Sequence, residues 1–260
     1  MNIFFITQDD PFYITVFFEN FLKTYPSLDE IKGVVLCKTM GKGRYELVKQ
    51  LYNFYGLHDF IRMTGRYIRF KFLGYLYGQL QVNRFYDLRQ LLHSYNIPII
   101  YTDEINSKEF LDELASYNLD LIISVACPKI FRENLLCLPR FGCINIHTAK
   151  LPKYRGMMPN FWNMYNNEKT TGITIHKINA GIDDGEIILQ RDVTIDPEES
   201  LDTLIKKTKK VGAYMMIEVI NQIKEGTIQY IENDGTKSSY YSFPTEKDIK
   251  EFRKLGKRLL

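Results

Sequence analysis

FGCINIHTAKLPKYRG, residues 141–156, is the stretch from which the rest of the chain can be read. The short apolar run Gly142–Ile146 predicts a strand that delivers Asn145 and His147 at its C-terminal end. Residues i and i+2 of a strand share a face, so the amide of Asn145 and the imidazole of His147 are expected side by side. The run Leu151-Pro152-Lys153-Tyr154-Arg155-Gly156 then predicts a loop passing over the strand tip.

A second segment completes the first. The alternation and β-branched residues of Thr171–Ile178 (TGITIHKI) predict another strand. The turn after it, Asn179-Ala180-Gly181-Ile182-Asp183-Asp184-Gly185, places two carboxylates among glycines. An amide donor, an imidazole and a carboxylate are the parts that stabilise an oxyanion and move protons in acyl transfer. The same residues also suit plain structural duty, because Asn and His at strand ends often bond to turns and Asp-Asp-Gly is ordinary turn chemistry. His176 reads either as a packed surface residue of its strand or as a partner of Asp183.

Working outward, Asn2–Thr7 is a buried strand, followed by the loop Gln8-Asp9-Asp10-Pro11 and a helix over about Phe12–Tyr25. Pro11 suits the first turn of that helix. Ile31–Cys37 is the next strand, and strand–helix–strand alternation of this kind predicts a parallel sheet with right-handed crossovers. The basic, glycine-containing loop Lys38–Arg44 suits either a phosphate or a solvated connection. No GxGxxG accompanies it, so dinucleotide binding has little support.

Residues 45–95 predict a helical insert: Tyr45–Tyr55, His58–Leu80 with breaks near Gly65 and Gly74, and Arg84–Tyr95. Arg62, Arg66 and Arg69 recur at helical spacing, with Ile61, Tyr67, Ile68, Phe72, Leu73 and Leu76 available for another face. The expected arrangement packs those apolar residues against the sheet or a partner subunit and leaves the arginines in water. A basic helix resting on anionic lipid is the alternative, and a homodimer through the insert stays open.

Further strands are expected at Ile97–Tyr101, Leu119–Val125 and Glu186–Val193, and helices at Ser107–Ser116, up to about Cys137, and from the stretch Met157–Trp162 to about Asn167. Ser200 caps a helix to Lys224, and Gly226–Leu260 forms a mixed extension ending in a basic helix. In an open parallel α/β sheet a ligand belongs at the carboxyl ends of the strands, here those of strands one, four and five.

Composition narrows the class. The chain has 260 residues, 45% hydrophobic and 25% charged, as in ordinary globular proteins. A net charge of +3 lacks the basic footprint of a dedicated nucleic-acid binder. Cys37, Cys127, Cys137 and Cys143 form no CxxC and no metal-ligand pattern with histidine, which predicts free thiols in a reducing compartment and no metal. The start, Met1-Asn2-Ile3-Phe4-Phe5, reads as a strand rather than a signal peptide, and no uncharged run approaches the ~18 residues of a spanning helix. A cytoplasmic protein with no membrane partner is the expectation.

N-I-H followed by L-P-x-Y-R-G, then G-I-T-I-H and I-D-D-G-E-I, resembles the formyltransferase family that uses 10-formyltetrahydrofolate, over about Asn2–Val193. The resemblance implies a Rossmann-like, mostly parallel sheet with helices on both faces. Residues 1–195 would form the catalytic domain, with the helical insert at about 45–95, and residues 196–260 a C-terminal helix and extension. It implies Asn145, His147 and Asp183 as the catalytic set, with Asp183 chosen over Asp184 by its place in D-x-G-x-I. A carboxylate beside His147 would raise its pKa toward neutrality.

Within the resemblance, N10-formyltetrahydrofolate would lie against Ala126, Cys127, Lys129, Ile130, Gly181 and Ile182, largely through backbone groups, although Pro128 lacks a donor. P-N-F-W at 159–162 looks like the sugar N-formyltransferases, with Trp162 itself expected to anchor packing. The acceptor implied is a nucleotide-linked amino sugar, touched by Gln8, Asp10, Lys42, Arg44, Met157 and Asn160. After Val193 the chain also looks too short and too weakly strand-like for the C-terminal barrel of the tRNA enzymes. Formylation of methionyl-tRNA or glycinamide ribonucleotide, or hydrolysis of the formyl folate, are the alternatives.

Overall fold

A computed structural model describes residues 1–41, 43–80 and 85–260. The chain opens as read, with β1 (Ile3–Gln8), α1 (Ile14–Thr24) and β2 (Ile31–Cys37). Pro11 lies in a turn ahead of α1 instead of in its first helical turn. The Asp10 carboxylate occupies that turn, accepting the N–H groups of Phe12 and Tyr13 at 2.7 and 2.9 Å, and it delays the helix to Ile14.

The insert is α2 (Arg44–Leu80) and α3 (Leu88–Ser94). The break in α2 falls at Gly56, between the segments expected at Tyr45–Tyr55 and His58–Leu80, where φ of 66° and ψ of 171° are not helical; the further breaks expected near Gly65 and Gly74 do not occur. A glycine tolerates helical φ/ψ at modest cost, so a glycine inside a helical pattern need not end it. The helix expected from Arg84 begins at Leu88, capped by Asp87 through the Arg89 N–H; Arg84 lies outside the described residues.

The chain continues through β3 (Ile99–Tyr101), α4 (Lys108–Ala115), β4 (Leu121–Val125), α5 (Glu133–Leu136) and β5 (Cys143–His147). Then come β6 (Arg155–Gly156), α6 (Pro159–Tyr165), β7 (Thr170–Lys177), β8 (Ile187–Thr194), α7 (Leu201–Glu225), β9 (Tyr240–Tyr241) and α8 (Glu246–Lys254). Among the described residues the main sheet runs β3-β2-β1-β4-β5-β7-β8. Its first five strands are parallel, and β7 and β8 add an antiparallel hairpin. The order reverses between β1 and β4, which is where such sheets open a ligand crevice.

Helices cover both faces. On one, α1, α3 and α7 bury Phe17, Phe18, Phe21, Leu91, Met215 and Met216 against Ile144, Ile146, Ile173 and Ile175 of the sheet. On the other, α4 and α5 bury Phe110, Leu114 and Leu135 with Phe4, Ile6, Val35 and Cys143. A third cluster joins α2, α6 and α8, with Phe161 stacked on Phe252 at 4.6 Å. Trp162 packs there as expected, its ring on Tyr241 at 4.8 Å and its indole N–H donated to the Ser242 carbonyl.

The residues after α7 return to the body of the sheet. β9 pairs in parallel with β6, and the Leu201 and Asp202 amides donate to the Arg258 and Leu259 carbonyls at 2.9 and 3.0 Å. Among the described residues no helix is long and apolar enough to cross a membrane.

Candidate active site

Strand pairing alone gathers the polar residues. Asn145 of β5 faces His176 of β7, and His147 faces Thr174, so these four side chains rise from one sheet face. The alternate residues Ile144, Ile146, Ile173 and Ile175 bury the opposite face. The polar character of one face is therefore a direct consequence of the period-two alternation.

His176 is 2% exposed, which overturns its reading as a surface residue. Its Nδ1–H donates to the Lys177 carbonyl at 2.7 Å, leaving Nε2 to accept from the Asn145 amide at 3.1 Å. This fixes which way the Asn145 amide presents its N–H groups. The second N–H of Asn145 points to Asp183 Oδ1 at 3.4 Å.

The turn after β7 folds Asp183 back over β5. Asp183 has a left-handed φ of 49°, and its Oδ2 accepts the Gly156 N–H at 2.9 Å while standing 3.4 Å from His147 Nδ1. His147 Nε2–H donates to the Tyr154 carbonyl at 2.7 Å. Asp184 points away and pairs with Arg155 at 2.5 Å, so Asp183 is the carboxylate that meets His147. The contacts of 3.4 Å and longer around Asp183 are weak. Contacts of that length are what an arriving substrate can replace or tighten.

Two glycines make this folding back feasible. A Cβ on Gly156 would stand 2.3 Å from the Tyr241 carbonyl, and its φ is 95°. A Cβ on Gly185 would stand 2.0 Å from the Lys177 carbonyl. Either substitution would push the Asp183 turn off β5.

Asn233, in the segment after α7, holds the turn from the other side. Its buried side chain donates to the Asp183 and Gly185 carbonyls at 2.9 and 3.0 Å. Arg155 in turn donates to Asn233 Oδ1 at 3.0 Å. Nothing in the local sequence Glu232-Asn233-Asp234-Gly235 announces this role, because it depends on a contact 50 residues away. The Tyr154 carbonyl and Gly156 N–H escape sequence reading for the same reason.

Burial pushes the His147 imidazole below its ordinary value, against the raising influence of Asp183 and the Tyr154 carbonyl. The expectation of a raised value is therefore reversed, since a 6% exposed ring loses more from desolvation than one carboxylate restores. Burial acts to raise the Asp183 carboxyl too, but His147, His176 and the Gly156 N–H outweigh it and hold it well below the carboxylate range. Because the folded chain keeps His147 neutral, the unfolded chain takes up a proton first as pH falls. The melting temperature is expected to decline below about pH 6.5, and further below about pH 4 as Asp183 must also be protonated. Thermal scans of the wild type and His147→Gln should show a flatter slope between those values in the variant.

The remaining residues singled out from the sequence are placed as follows. Gln8 accepts the Met40 N–H at 2.7 Å, and half-buried Asp10 is engaged in its own turn at the β1 end. Near Asp10, Lys209 is 7% exposed, and burial pushes its ammonium down to about 8. Arg44 is exposed at the start of α2, and Lys42 lies outside the described residues. Met157 is partly exposed just past β6, whereas Asn160 is 3% exposed, donates to Thr208 Oγ1 at 2.9 Å and accepts from Thr171. Asn160 thus ties α6 to α7 and β7 instead of reaching the site surface.

On the other side of β5, the loop after β4 starts at Ala126 in a left-handed conformation with φ of 52°. Cys127 Sγ faces the Lys129 carbonyl, and Ile130 is 68% exposed. Ile182, beside Gly181 in the Asp183 turn, is 51% exposed. Ile130 and Ile182 thus offer exposed aliphatic side chains on the two loops that flank β5, a surface that fits a flat heteroaromatic ring. The four cysteines are free thiols, with Cys37 and Cys143 buried as small hydrophobes.

Comparison with known proteins gives these features a family. Residues 76–220, more than half of the chain, match the formyl transferase family. A methionyl-tRNA formyltransferase of Thermotoga maritima is 36% identical over 162 residues, covering 62% of this chain and 52% of that protein. The chain thus spans about half the length of the curated relatives it matches. The formyltransferase PseJ from Anoxybacillus kamchatkensis, solved with UDP-4,6-dideoxy-4-formamido-L-AltNAc and tetrahydrofolate, superposes with a TM-score of 0.51 at 28% identity, over 65% of this chain and 85% of that one. The N-formyltransferase from Helicobacter canadensis shares the fold, with a TM-score of 0.56 at 19% identity, over 93% of this chain and 71% of that one. With an Asn–His–Asp network at the centre of a sheet of this order, the chain belongs to the formyl transferase family.

Proposed function

We propose that the chain transfers a formyl group from N10-formyltetrahydrofolate to the primary amine of a nucleotide-linked amino sugar. The observation that carries the proposal is the convergence of Asn145, His147 and Asp183 at 3.4 Å contacts beside the β1/β4 crevice. In this reading the acceptor amine attacks the formyl carbon, the new C–N bond forms, and the bond to N10 breaks. Asn145 donates to the developing oxyanion, the role in which a fixed donor contributes most. Asp183 and neutral His147 accept the proton shed by the amine and return one to the leaving N10.

The formyl donor would rest on Ala126, Cys127, Lys129, Ile130, Gly181 and Ile182. The acceptor would approach past Gln8, Asp10, Arg44 and Met157. The sugar choice is supported by the 28% identity to PseJ, whose complex holds a UDP-linked formamido sugar. A methionyl-tRNA acceptor is the second reading, supported by the 36% identity to the Thermotoga maritima enzyme. Incubation with 10-formyltetrahydrofolate and UDP- or dTDP-linked amino sugars, with methionyl-tRNA, or with no amine separates the cases. Tetrahydrofolate release with a matching mass gain on a sugar nucleotide supports the proposal. Formylated tRNA alone, or formate release without amine, overturns the acceptor.

Asn233→Ala is expected to lower kcat for that transfer about tenfold, since two hydrogen bonds to the Asp183 turn are lost. The Michaelis constant for the formyl donor should move less. Steady-state kinetics with both substrates varied checks the split.

A further inference from the structure

The helical insert has two apolar faces, and only one is covered. Beyond Gly56, α2 turns Met63, Phe70 and Arg66 toward the body: Met63 is 7% exposed, Phe70 meets Phe12 at 5.7 Å, and Arg66 pairs with Asp202 at 2.8 Å. This corrects the expectation that all three arginines stand in water. Lys71 anchors the same helix to Asp87 at 2.7 Å, and Arg253 ties Asp59 to α8 at 3.0 Å.

The other face is exposed among the described residues. Leu57, Ile61, Ile68, Phe72 and Tyr75 are 63, 61, 61, 64 and 70% exposed. At 3.6 residues per turn, they fall within an arc of about 60°. Of the two arrangements expected for Ile61, Ile68 and Phe72, packing on the sheet is therefore not met, because the packed face is taken by Met63, Phe70 and Arg66. Exposed apolar side chains concentrated on one helix face mark an interaction surface.

Charge identifies the occupant. Arg62 and Arg69 border the arc on one side and Lys71 on the other, and no Asp or Glu occurs between Phe60 and Leu76. From Arg44 to Leu76 there are six Lys/Arg against two Asp/Glu, a net +4 where the whole chain carries +3. A second copy docking across a two-fold axis would bring these arginines against their own counterparts with no acidic residue to meet them. Asp59, the nearest acid, is already engaged by Arg253 at 3.0 Å and meets Arg62 itself only loosely, at 3.4 Å, so Arg69 is the arginine of this border with no acid beside it in the sequence. An apolar stripe edged by cations on a helix too polar to span is the form that lies in an anionic lipid interface.

We propose that α2 docks this protein on an anionic membrane surface, with Leu57, Ile61, Ile68, Phe72 and Tyr75 in the acyl boundary and Arg62 and Arg69 on the headgroups. The claim is independent of the formyl acceptor and is read by binding alone. The full chain is sedimented with vesicles of phosphatidylcholine, alone or mixed with phosphatidylglycerol, at low and raised salt. The wild type should pellet only with the mixed vesicles and less so as salt rises. Arg62→Gln with Arg69→Gln, and separately Ile68→Ser with Phe72→Ser, should each weaken partitioning at least about tenfold. Both should keep the wild-type melting temperature, as all four side chains face solvent. Failure to pellet with mixed vesicles, or pelleting unchanged in either variant, overturns the proposal. So does a dimer by light scattering that Ile68→Ser with Phe72→Ser disperses.

Discussion

Replacing His147 with alanine is expected to lower kcat for formyl transfer about 10³-fold, and Asn145→Ala about 10²–10³-fold. The two residues fail differently. Asn145→Ala removes an oriented N–H donor while His176 and Asp183 keep their remaining backbone partners, Lys177 and Gly156. His147→Ala removes a group that exchanges protons, and it also leaves the buried Tyr154 carbonyl without its donor, at about 1–3 kcal/mol of stability. Asp183→Asn isolates the proton-transfer role, because an amide oxygen can still accept from Gly156. Its kcat should fall by about 10²-fold or more, and its melting temperature should fall as well, because the fold favours the ionised carboxylate. Steady-state rates beside thermal melts check all three, and wild-type turnover by His147→Ala would remove the proposed mechanism.

Phe252→Ala carries the largest expected cost to stability, about 3–5 kcal/mol. Phe252 belongs to α8, near the end of the chain, is fully buried and stacks on Phe161 of α6 at 4.6 Å. The melting temperature should drop by roughly 10 °C. The same loss should reach the site, because residues 226–260 hold β6 through β9 and the Asp183 turn through Asn233. Leu255→Ala, at a side chain 40% exposed one residue past α8, should change stability by no more than about 0.5 kcal/mol. Equal melting of both variants and the wild type would show that residues 226–260 contribute nothing to the rest of the fold.

Most of the sheet was legible because its signals are local. Apolar runs bounded by turns marked β1, β2, β4, β5, β7 and β8 to within a residue or two, and Ser200 caps the helix it was expected to cap. The break at Gly56 falls in the gap expected between Tyr55 and His58, whereas the further breaks expected near Gly65 and Gly74 do not occur, because any glycine can bend a helix and only packing selects which one does. Here the Arg253 side chain reaches α2 just where Gly56 turns, donating to the Tyr55 carbonyl.

What the sequence determined by itself is the chemistry on offer: an amide and an imidazole two residues apart on one strand, and a carboxylate in a glycine-rich turn. Period-two alternation sets their shared face whatever the rest of the chain does. Tertiary structure alone decided which carboxylate meets His147, the neutral state of that ring and the role of Asn233. It also decided which face of α2 is left bare. Each of these depends on burial or on contacts between distant residues, and neither quantity is written in any local stretch of sequence.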